Sequence, residues 1–178
     1  MKLRIQYYGY ESKGENMIES VLLDTSFLIS LTNPKFEGHK NAKEYILTFA
    51  NREIDMYLSS IVLSEFTAQQ PLSDIPKEFL DCFHHLPFTI IDGDLAGQMV
   101  GRKGKLDGAD RTRVKDDFKI FAQIANNTIK GFASGDEKDA KRYLEFCKNN
   151  FDFNCHFISL NQPPSVGLVQ KDDLFSGI

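Results

Sequence analysis

The sequence predicts an α/β domain with three layers, α/β/α, around a central parallel sheet of about five strands. Short apolar runs alternate along the chain with longer segments of helical periodicity, and this order favours parallel strands joined by right-handed crossovers. The first run, residues 21–23, is continuously apolar, as in strands that are buried on both faces. The connections between the runs are short, which also suits crossover units.

The composition is that of a globular protein with one core. The chain has 178 residues, of which 42% are hydrophobic and 26% are charged, and this length favours one domain over two. The formal net charge of -4 gives no overall positive field, so any contact with nucleic acid must be local. No apolar run is long enough to span a membrane.

Cysteine usage predicts a reducing, cytoplasmic location and no zinc site. Cys82, Cys147 and Cys155 are odd in number, include no C-x-x-C pair and follow no signal peptide, so we interpret them as buried thiols. Cys82 with His84 and His85 lacks both the standard zinc spacing and a second pair of ligands.

The domain is predicted to span residues 17–160. Residues 1–16 form an N-terminal appendage that begins with the alternating pattern of a half-exposed strand. Residues 161–178 contain a pair of prolines followed by a polar stretch, and we interpret them as a C-terminal tail.

An Asp directly follows the first predicted strand. Asp24 would stand at the rim of a parallel sheet, where open α/β folds bind their ligands. Alternatively, Asp24, Thr25 or Ser26 serves as the cap of the short helix predicted over residues 27–31. The next helix is predicted over residues 39–51, where apolar residues form a stripe.

Glu65 follows the second predicted strand, residues 56–59. Ser59 or Ser60 suits the cap of the helix that begins there, and Glu65 comes too late in this helix for a capping box. Glu65 shares a helical face with Ile61 and Val62. Because a carboxylate on an apolar face needs a reason, Glu65 is a candidate site residue.

In the middle of the chain, we predict a helix over residues 77–84, a third strand over 88–92 and a helix over 93–99. Residues 101–115 are predicted to form a basic loop, with six cationic side chains against two acidic ones. Arg111, Arg113 and Lys115 lead directly into the next helix. They are candidates for contacts with the phosphates of a bound substrate, the alternative being a solvated surface loop.

Residues 116–125 carry the strongest helical pattern in the chain. Asp117 lies on the apolar stripe of this helix, together with Ile120, Phe121 and Ile124. Asp116 shares a face with Lys119 and Gln123, so this face is predicted to be solvated. Asp117 is therefore the better candidate for a site residue, and Asp116 is the alternative.

The last two strands are predicted over residues 131–134 and 155–160. Ser134 and Glu137 have the spacing of a capping box, which predicts a helix from there to about residue 148. Asp136 and Asp139 are candidate site residues, although both also suit the first turn of a helix, where the dipole favours acids.

Four of these acids follow strand ends or lie near helix starts: Asp24, Glu65, Asp117 and Asp136. In a parallel α/β fold such residues can converge on one rim. Converging carboxylates repel one another unless they are protonated or bind hard cations. Oxygen ligands without His or Cys select Mg2+ or Mn2+, and Mg2+ commonly binds phosphate oxygens as well. The pattern favours metal-assisted hydrolysis of a phosphodiester or nucleotide.

Four motifs in this order resemble those of the PIN-domain nucleases, whose bacterial members include the toxin ribonucleases of toxin-antitoxin pairs. The resemblance covers roughly residues 20–160 and depends on Leu23-Asp24-Thr25-Ser26, Ser64-Glu65-Phe66, Asp117 with Ile120 and Ala122, and Ser134-Gly135-Asp136 with Asp139. It implies a PIN-like fold and an endoribonuclease dependent on Mg2+ or Mn2+. The metal would lie among Asp24, Glu65, Asp117 and Asp136, with Ser26, Asp116 and Asp139 as auxiliary residues. Candidate partners are RNA, an antitoxin protein and a second copy of the chain. Arg111, Arg113 and Lys115 are predicted to bind the phosphates of the RNA.

Other functions fit the sequence less well. A haloacid-dehalogenase-type phosphatase needs a second acid two residues after the first, where Ser26 stands. No G-x-G-x-x-G follows a strand, and Gly104-Lys105 lacks the other residues of a P-loop. The remaining alternative is a catalytically inactive PIN-like module that binds RNA or protein.

Overall fold

A computed structural model describes residues 18–104 and 111–168, with the backbone alone for residues 111–114. Its strands are β1 (Ser20–Leu23), β2 (Asp55–Ser59), β3 (His84–Leu86), β4 (Gly131–Ser134) and β5 (His156–Ser159). They form one sheet in the order β3-β2-β1-β4-β5, and every pairing is parallel. The predicted fold class is confirmed.

β1 is the central strand. Leu22 pairs with Tyr57 of β2 on one side and with Phe132 of β4 on the other. Val21, Leu22 and Leu23 are completely buried, as the continuous apolar run predicts. The end of β1 is therefore flanked by the ends of two neighbouring strands.

The helices cover both faces of the sheet. They are α1 (Thr25–Thr32), α2 (His39–Asn51), α3 (Ser60–Thr67), α4 (Lys77–Leu80), α5 (Ile90–Lys103), α6 (Arg111–Asn126), α7 (Asp139–Asn150) and α8 (Pro164–Gly167). α1 contacts α2 and α3, whereas α6 contacts α5 and α7. The chain crosses the sheet in one direction from β1 to β3 and in the other from β3 to β5, so right-handed crossovers place these two groups on opposite faces.

The third predicted strand is wrong. Residues 88–92 do not form a strand; β3 lies earlier, at His84–Leu86, and α4 ends at Leu80. Thr89 and Asp92 form a capping box that begins α5, with the Thr89 hydroxyl accepting the Asp92 N–H and the Asp92 carboxylate accepting the Thr89 N–H. Ile90 is 92% exposed and Ile91 69%. Ile90 and Ile91, which suggested a strand, are therefore exposed residues at the start of a helix.

The basic loop predicted over residues 101–115 is also wrong in its extent. Residues 101–103 are the last turn of α5, and residues 111–115 are the start of α6. Lys and Arg are good helix formers, so a run of cations does not by itself break a helix. Residues 105–110 lie outside the described residues.

The C-terminal region that was predicted to be a tail contains α8, which packs on α2. Pro164 is buried, and a Cβ at position 167 would collide with the hydroxyl of Tyr45, so any larger residue there would require Tyr45 to shift. The predicted N-terminal appendage and residues 169–178 lie outside the described residues. Among the helices in residues 18–104 and 111–168, none has both the length and the hydropathy of a membrane span.

The three thiols differ in exposure. Cys147 and Cys155 are buried, as predicted, whereas Cys82 is exposed, so the prediction of a buried thiol is wrong for Cys82. Burial is the main cause that raises the pKa of both Cys147 and Cys155 to about 12.

In the native protein, we expect the thiol of Cys82 to react with a disulfide reagent at pH 8 much faster than the other two. The thiolate is the reactive form, and buried thiols with raised pKa values remain protonated. Titration with the reagent should show one fast thiol in the native protein and three after denaturation. A Cys82→Ser variant should lose the fast phase; fast modification of Cys147 in that variant would contradict the packing described.

Candidate active site

Asp24 lies at the point where β1 ends and α1 begins. It occupies the N-cap position of α1, but within the described residues its side chain makes no capping hydrogen bond. Its N–H instead donates to the carbonyl of Ala133, which extends the pairing between β1 and β4. The interpretation of the Asp24 carboxylate as a helix cap is therefore wrong.

Two serine hydroxyls hold the Asp24 carboxylate. Ser26 Oγ and Ser134 Oγ both donate to Asp24 Oδ2, each at 2.7 Å. Ser26 Oγ in turn accepts the Gly135 N–H at 2.9 Å, and Ser134 Oγ accepts the Asp136 N–H at 3.0 Å. Each hydroxyl thus accepts a hydrogen bond from a backbone N–H and donates one to the carboxylate. Hydrogen bonds linked in such a chain polarise and strengthen one another. The orientation of Asp24 is fixed by the turn that follows β4.

Glu65 is joined to the start of α1. It is half-buried in α3, and its Oε2 accepts a hydrogen bond from the hydroxyl of Thr25, the residue next to Asp24. Ser59 caps α3 by accepting the Ile61 N–H at 3.0 Å, as predicted. Thr25 and Glu65 therefore join the first residue of α1, directly after Asp24, to the last part of α3.

Asp136 lies two residues after β4 and is half-buried. Its Oδ1 accepts the N–H of Asp139 at 2.9 Å, which fixes the approach to α7. Asp139 accepts a hydrogen bond from Arg142 at 3.1 Å. The capping box predicted between Ser134 and Glu137 is wrong, because α7 begins only at Asp139 and the Ser134 hydroxyl is bonded to Asp24.

The adjacent acids of α6 are both half-buried. Asp116 pairs with Lys119 through an oxygen-to-nitrogen distance of 2.6 Å. Asp117 precedes Phe118, whose ring packs against Tyr143 and Phe146 of α7. The charge of Asp117 also adds to the rise in the pKa of Cys147 in α7, after the larger effect of burial, while Lys103 acts in the opposite direction.

The face of α6 that was predicted to be solvated is buried at one position. Gln123, which shares this face with Asp116, is completely buried. Its side chain accepts from Ser59 Oγ and donates to the carbonyls of Leu86 and Pro87. Gln123 therefore links α6 to the ends of β2 and β3. The buried surface of α6 is thus wider than the apolar stripe alone.

The predicted RNA-binding cations begin α6. Arg111, Arg113 and Lys115 belong to this helix and not to a loop. Lys115 is exposed, and the side chains of Arg111 and Arg113 lie outside the described part of the structure.

The proposed acids are not arranged as a complete metal cage. In residues 18–104 and 111–168, no three Asp, Glu, His or Cys side chains are grouped in a way that could hold a metal ion. The donor atoms are nevertheless carboxylate and hydroxyl oxygens, which suit Mg2+ or Mn2+ and not zinc. Mg2+ usually takes one or two carboxylates and completes its shell with water and phosphate. The candidates for these ligands are Asp24, whose carboxylate accepts from Ser134 Oγ, and Asp136, whose backbone N–H donates to the same hydroxyl.

The sequence analysis considered two residues of this network only as helix caps, and the structure gives them other roles. Thr25 binds Glu65, and Ser134 binds Asp24. A hydroxyl directly after a candidate acid is a weak signal for the first role. For Ser134, the adjacent pairing of β1 with β4 decides its role, and the spacing of the chain does not reveal which strands are neighbours.

Comparisons with known proteins give matches at the level of structure. No protein-family model and no curated protein matches the sequence. The solved structures that resemble the chain include VapC20 of Mycobacterium tuberculosis, described as a sarcin-ricin loop cleaving toxin, with 17% identity and a TM-score of 0.53 over 68% of this chain and 93% of that one. The fold is that of the PIN-domain toxins.

Two complexes share this PIN fold. VapBC2 from Rickettsia felis, bound to a DNA fragment from its promoter, has 17% identity and a TM-score of 0.51 over 69% of this chain and 92% of that one. DNA-bound VapBC from Salmonella typhimurium has 18% identity and a TM-score of 0.52 over 78% and 97%. The predicted resemblance to PIN-domain nucleases is confirmed in the fold.

Replacing Ser134 by Ala should lower both the stability and the proposed nuclease activity of this PIN fold. The change removes a donor to Asp24 and leaves the Asp136 N–H without its acceptor, which costs roughly 1–3 kcal/mol for a buried group. Loss of a residue that orients a metal ligand typically lowers activity by about 10–100-fold. Thermal melting and RNA cleavage at saturating Mg2+ measure the two effects.

Ser159→Ala is a matched control for this prediction. Ser159 ends β5, accepts the N–H of Asn161 two residues later and donates to Glu137, so its bonding copies that of Ser134 without touching Asp24. We expect it to lower the melting temperature and to retain the activity. Equal losses of activity in the two variants would mean that Ser134 acts through stability alone.

Proposed function

We propose that this protein is an Mg2+- or Mn2+-dependent endoribonuclease that acts as the toxin of a toxin-antitoxin pair. The observation that carries the proposal is the position of the Asp24 carboxylate at the end of the central strand. It accepts hydrogen bonds from the hydroxyl of Ser26, in α1, and from that of Ser134, at the end of β4. Such a rim is where parallel α/β folds bind ligands. The similarity in fold to a toxin described as cleaving the sarcin-ricin loop supports RNA as the substrate.

The acids have distinct roles in this proposal. Asp24 and Asp136 would hold the ion, with Glu65 and Asp117 as further ligands. A bound ion would lower the pKa of an attacking water and neutralise charge on the leaving oxygen. Ser26 and Ser134 orient Asp24, and Thr25 orients Glu65. Arg111, Arg113 and Lys115 would bind the phosphates of the RNA.

The proposed partners follow from the complexes that share the fold. Two of them are VapBC complexes bound to DNA, which supports an antitoxin protein as partner of this chain. A second copy of the chain is a further candidate partner. We propose a cytoplasmic location, because all three cysteines are free thiols and reducing compartments keep thiols in that form.

Incubation of the purified protein with structured and unstructured RNA tests the proposal. Cleavage is expected with Mg2+ or Mn2+ and should stop in EDTA. Restoration of cleavage by excess Mg2+ controls for damage by the chelator. Cleavage that persists in EDTA, or no cleavage under any condition, would overturn the metal-dependent nuclease.

A catalytically inactive PIN-like module is the second candidate function. It is favoured by the absence of a three-ligand metal group among the described residues. Such a module would bind RNA or protein with equal affinity in Mg2+ and in EDTA. Binding without cleavage in the experiment above would select it.

A further inference from the structure

Cationic side chains and aromatic rings meet on the surface formed by the end of α5 and by α7. Lys103 Nζ lies 4.9 Å from the centre of the Phe146 ring and 5.8 Å from that of Tyr143. The Arg142 guanidinium lies 4.7 Å from the centre of the Tyr143 ring. We call the three cations Arg102, Lys103 and Arg142 the cationic strip.

The strip carries a net positive charge on an acidic protein. All three cations of the strip are exposed. Among the ion pairs of the described residues, the one that involves the strip joins Arg142 to Asp139. Arg102 donates to the side-chain oxygen of Asn150, a neutral group, at 3.4 Å. The guanidinium of Arg142 has five donors, so its bonds to Asp139 and Tyr143 leave capacity for a phosphate.

The aromatic rings hold these heads in place. A cation over a ring is attracted by about 0.5–1 kcal/mol at exposed sites, and Arg142 also donates to the Tyr143 hydroxyl at 2.8 Å. Long cationic side chains normally lose much rotamer freedom when they bind. Because Lys103 and Arg142 are already oriented, binding an anion costs less entropy here than at an ordinary surface lysine.

The strip begins beside the proposed active site. Asp136 accepts the N–H of Asp139, and Asp139 accepts from Arg142, so one turn of α7 joins the acid to the strip. From Asp139 to Phe146 a helix rises about 10 Å. At the other end of the strip, Lys103 lies over Phe146, and the Phe146 ring lies 6.1 Å from that of Phe118, the residue that follows Asp117 in α6.

We infer that the cationic strip binds the phosphate backbone of single-stranded RNA as it leaves the proposed active site along α7. This inference rests on the proposed function for the identity of the polyanion. Tyr143 is only 5% exposed, so its ring offers no face on which a base could stack, and the contacts that we infer for Lys103 and Arg142 are to phosphates. Contacts of that kind position the strand and carry no sequence information.

The test is RNA binding by a Lys103→Ala/Arg142→Ala variant, measured in EDTA over a range of salt concentrations. Each phosphate contact to a single strand contributes about -0.7 to the slope of log K against log salt. We therefore expect the double variant to have a slope about 1.4 smaller in magnitude, and about 25-fold weaker binding at 0.1 M salt if the two proteins bind equally at about 1 M. Lys103→Ala alone should show about half of the change in slope.

Lys40→Ala/Lys43→Ala is the matched control. It removes the same charge from exposed positions of α2, on the opposite face of the sheet from α7, and should keep the slope of the parent. Equal slopes in the two double variants would overturn the strip, as would a parent that binds no RNA. Because EDTA stops metal-dependent cleavage, this result is independent of the nuclease assay: loss of cleavage with an intact strip effect would overturn the proposed nuclease alone.

Discussion

Replacing Asp24 by Asn is expected to abolish metal-dependent RNA cleavage while leaving the fold intact. Asn keeps an oxygen that can accept the hydrogen bonds from Ser26 and Ser134, but it loses the negative charge that a hard cation requires. Residues that merely orient metal ligands cost about 10–100-fold when removed. Removal of the ligand should therefore cost at least about 100-fold.

Cleavage rates at saturating Mg2+, together with the melting temperature, check this expectation. The melting temperature should stay about the same, because Asn has the shape of Asp and keeps an acceptor for Ser26 and Ser134. Asp55→Asn is the control: this exposed Asp begins β2, at the opposite end of the sheet, and pairs with His84. Full activity of Asp24→Asn would mean that the site lies elsewhere, and a clearly lowered melting temperature would make Asp24 a structural residue.

Much of the fold follows from local patterns. The continuous apolar run of β1 predicts a strand buried on both faces, and its three residues are completely buried. The helix predicted over residues 39–51 has the same bounds in the structure, because its apolar stripe repeats over several turns. β4 also has its predicted bounds. These elements form where the periodicity, the local propensity and the burial agree.

The third strand shows where local patterns are insufficient. Phe88, Ile90 and Ile91 have high strand propensity, yet the reciprocal hydrogen bonds of Thr89 and Asp92 begin a helix there. Asn126 completes this cap from α6 by donating to Asp92 Oδ1 at 2.8 Å. That contact spans 34 residues, so a window of local sequence does not contain it.

In the candidate site too, local sequence predicts the positions of some residues and not the roles of others. Asp24 and Asp136 are predictable from sequence because each follows a strand. The roles of Ser134 and Gln123 depend on which elements are neighbours: β4 lies beside β1, and α6 packs over the ends of β2 and β3. Helical spacing places Gln123 on a polar face of α6. It cannot show that the Gln123 side chain forms hydrogen bonds with Ser59 and with two backbone carbonyls.

Asp117→Asn should reduce metal-dependent cleavage by at least about 100-fold, because loss of a metal ligand should cost more than the roughly 10–100-fold that follows loss of a residue orienting one. Asp116→Asn should change cleavage by less than about threefold. A rotation of about 100° separates adjacent side chains on a helix. Asp116 is paired with Lys119, and half-exposed pairs of this kind contribute at most about 1 kcal/mol to stability. Asp117 lies toward α7, whose first turn follows Asp136.

The two variants have the same composition and remove the same charge from adjacent positions, so each controls for the other. Cleavage rates at several Mg2+ concentrations separate their effects: loss of a ligand should raise the Mg2+ concentration needed for half-maximal activity, whereas loss of the Asp116–Lys119 pair should leave it unchanged. Asp116 shares a face of α6 with the buried Gln123, which contacts Ser59 at the start of α3. A larger loss for Asp116→Asn would show that the metal is held on the α3 side of α6.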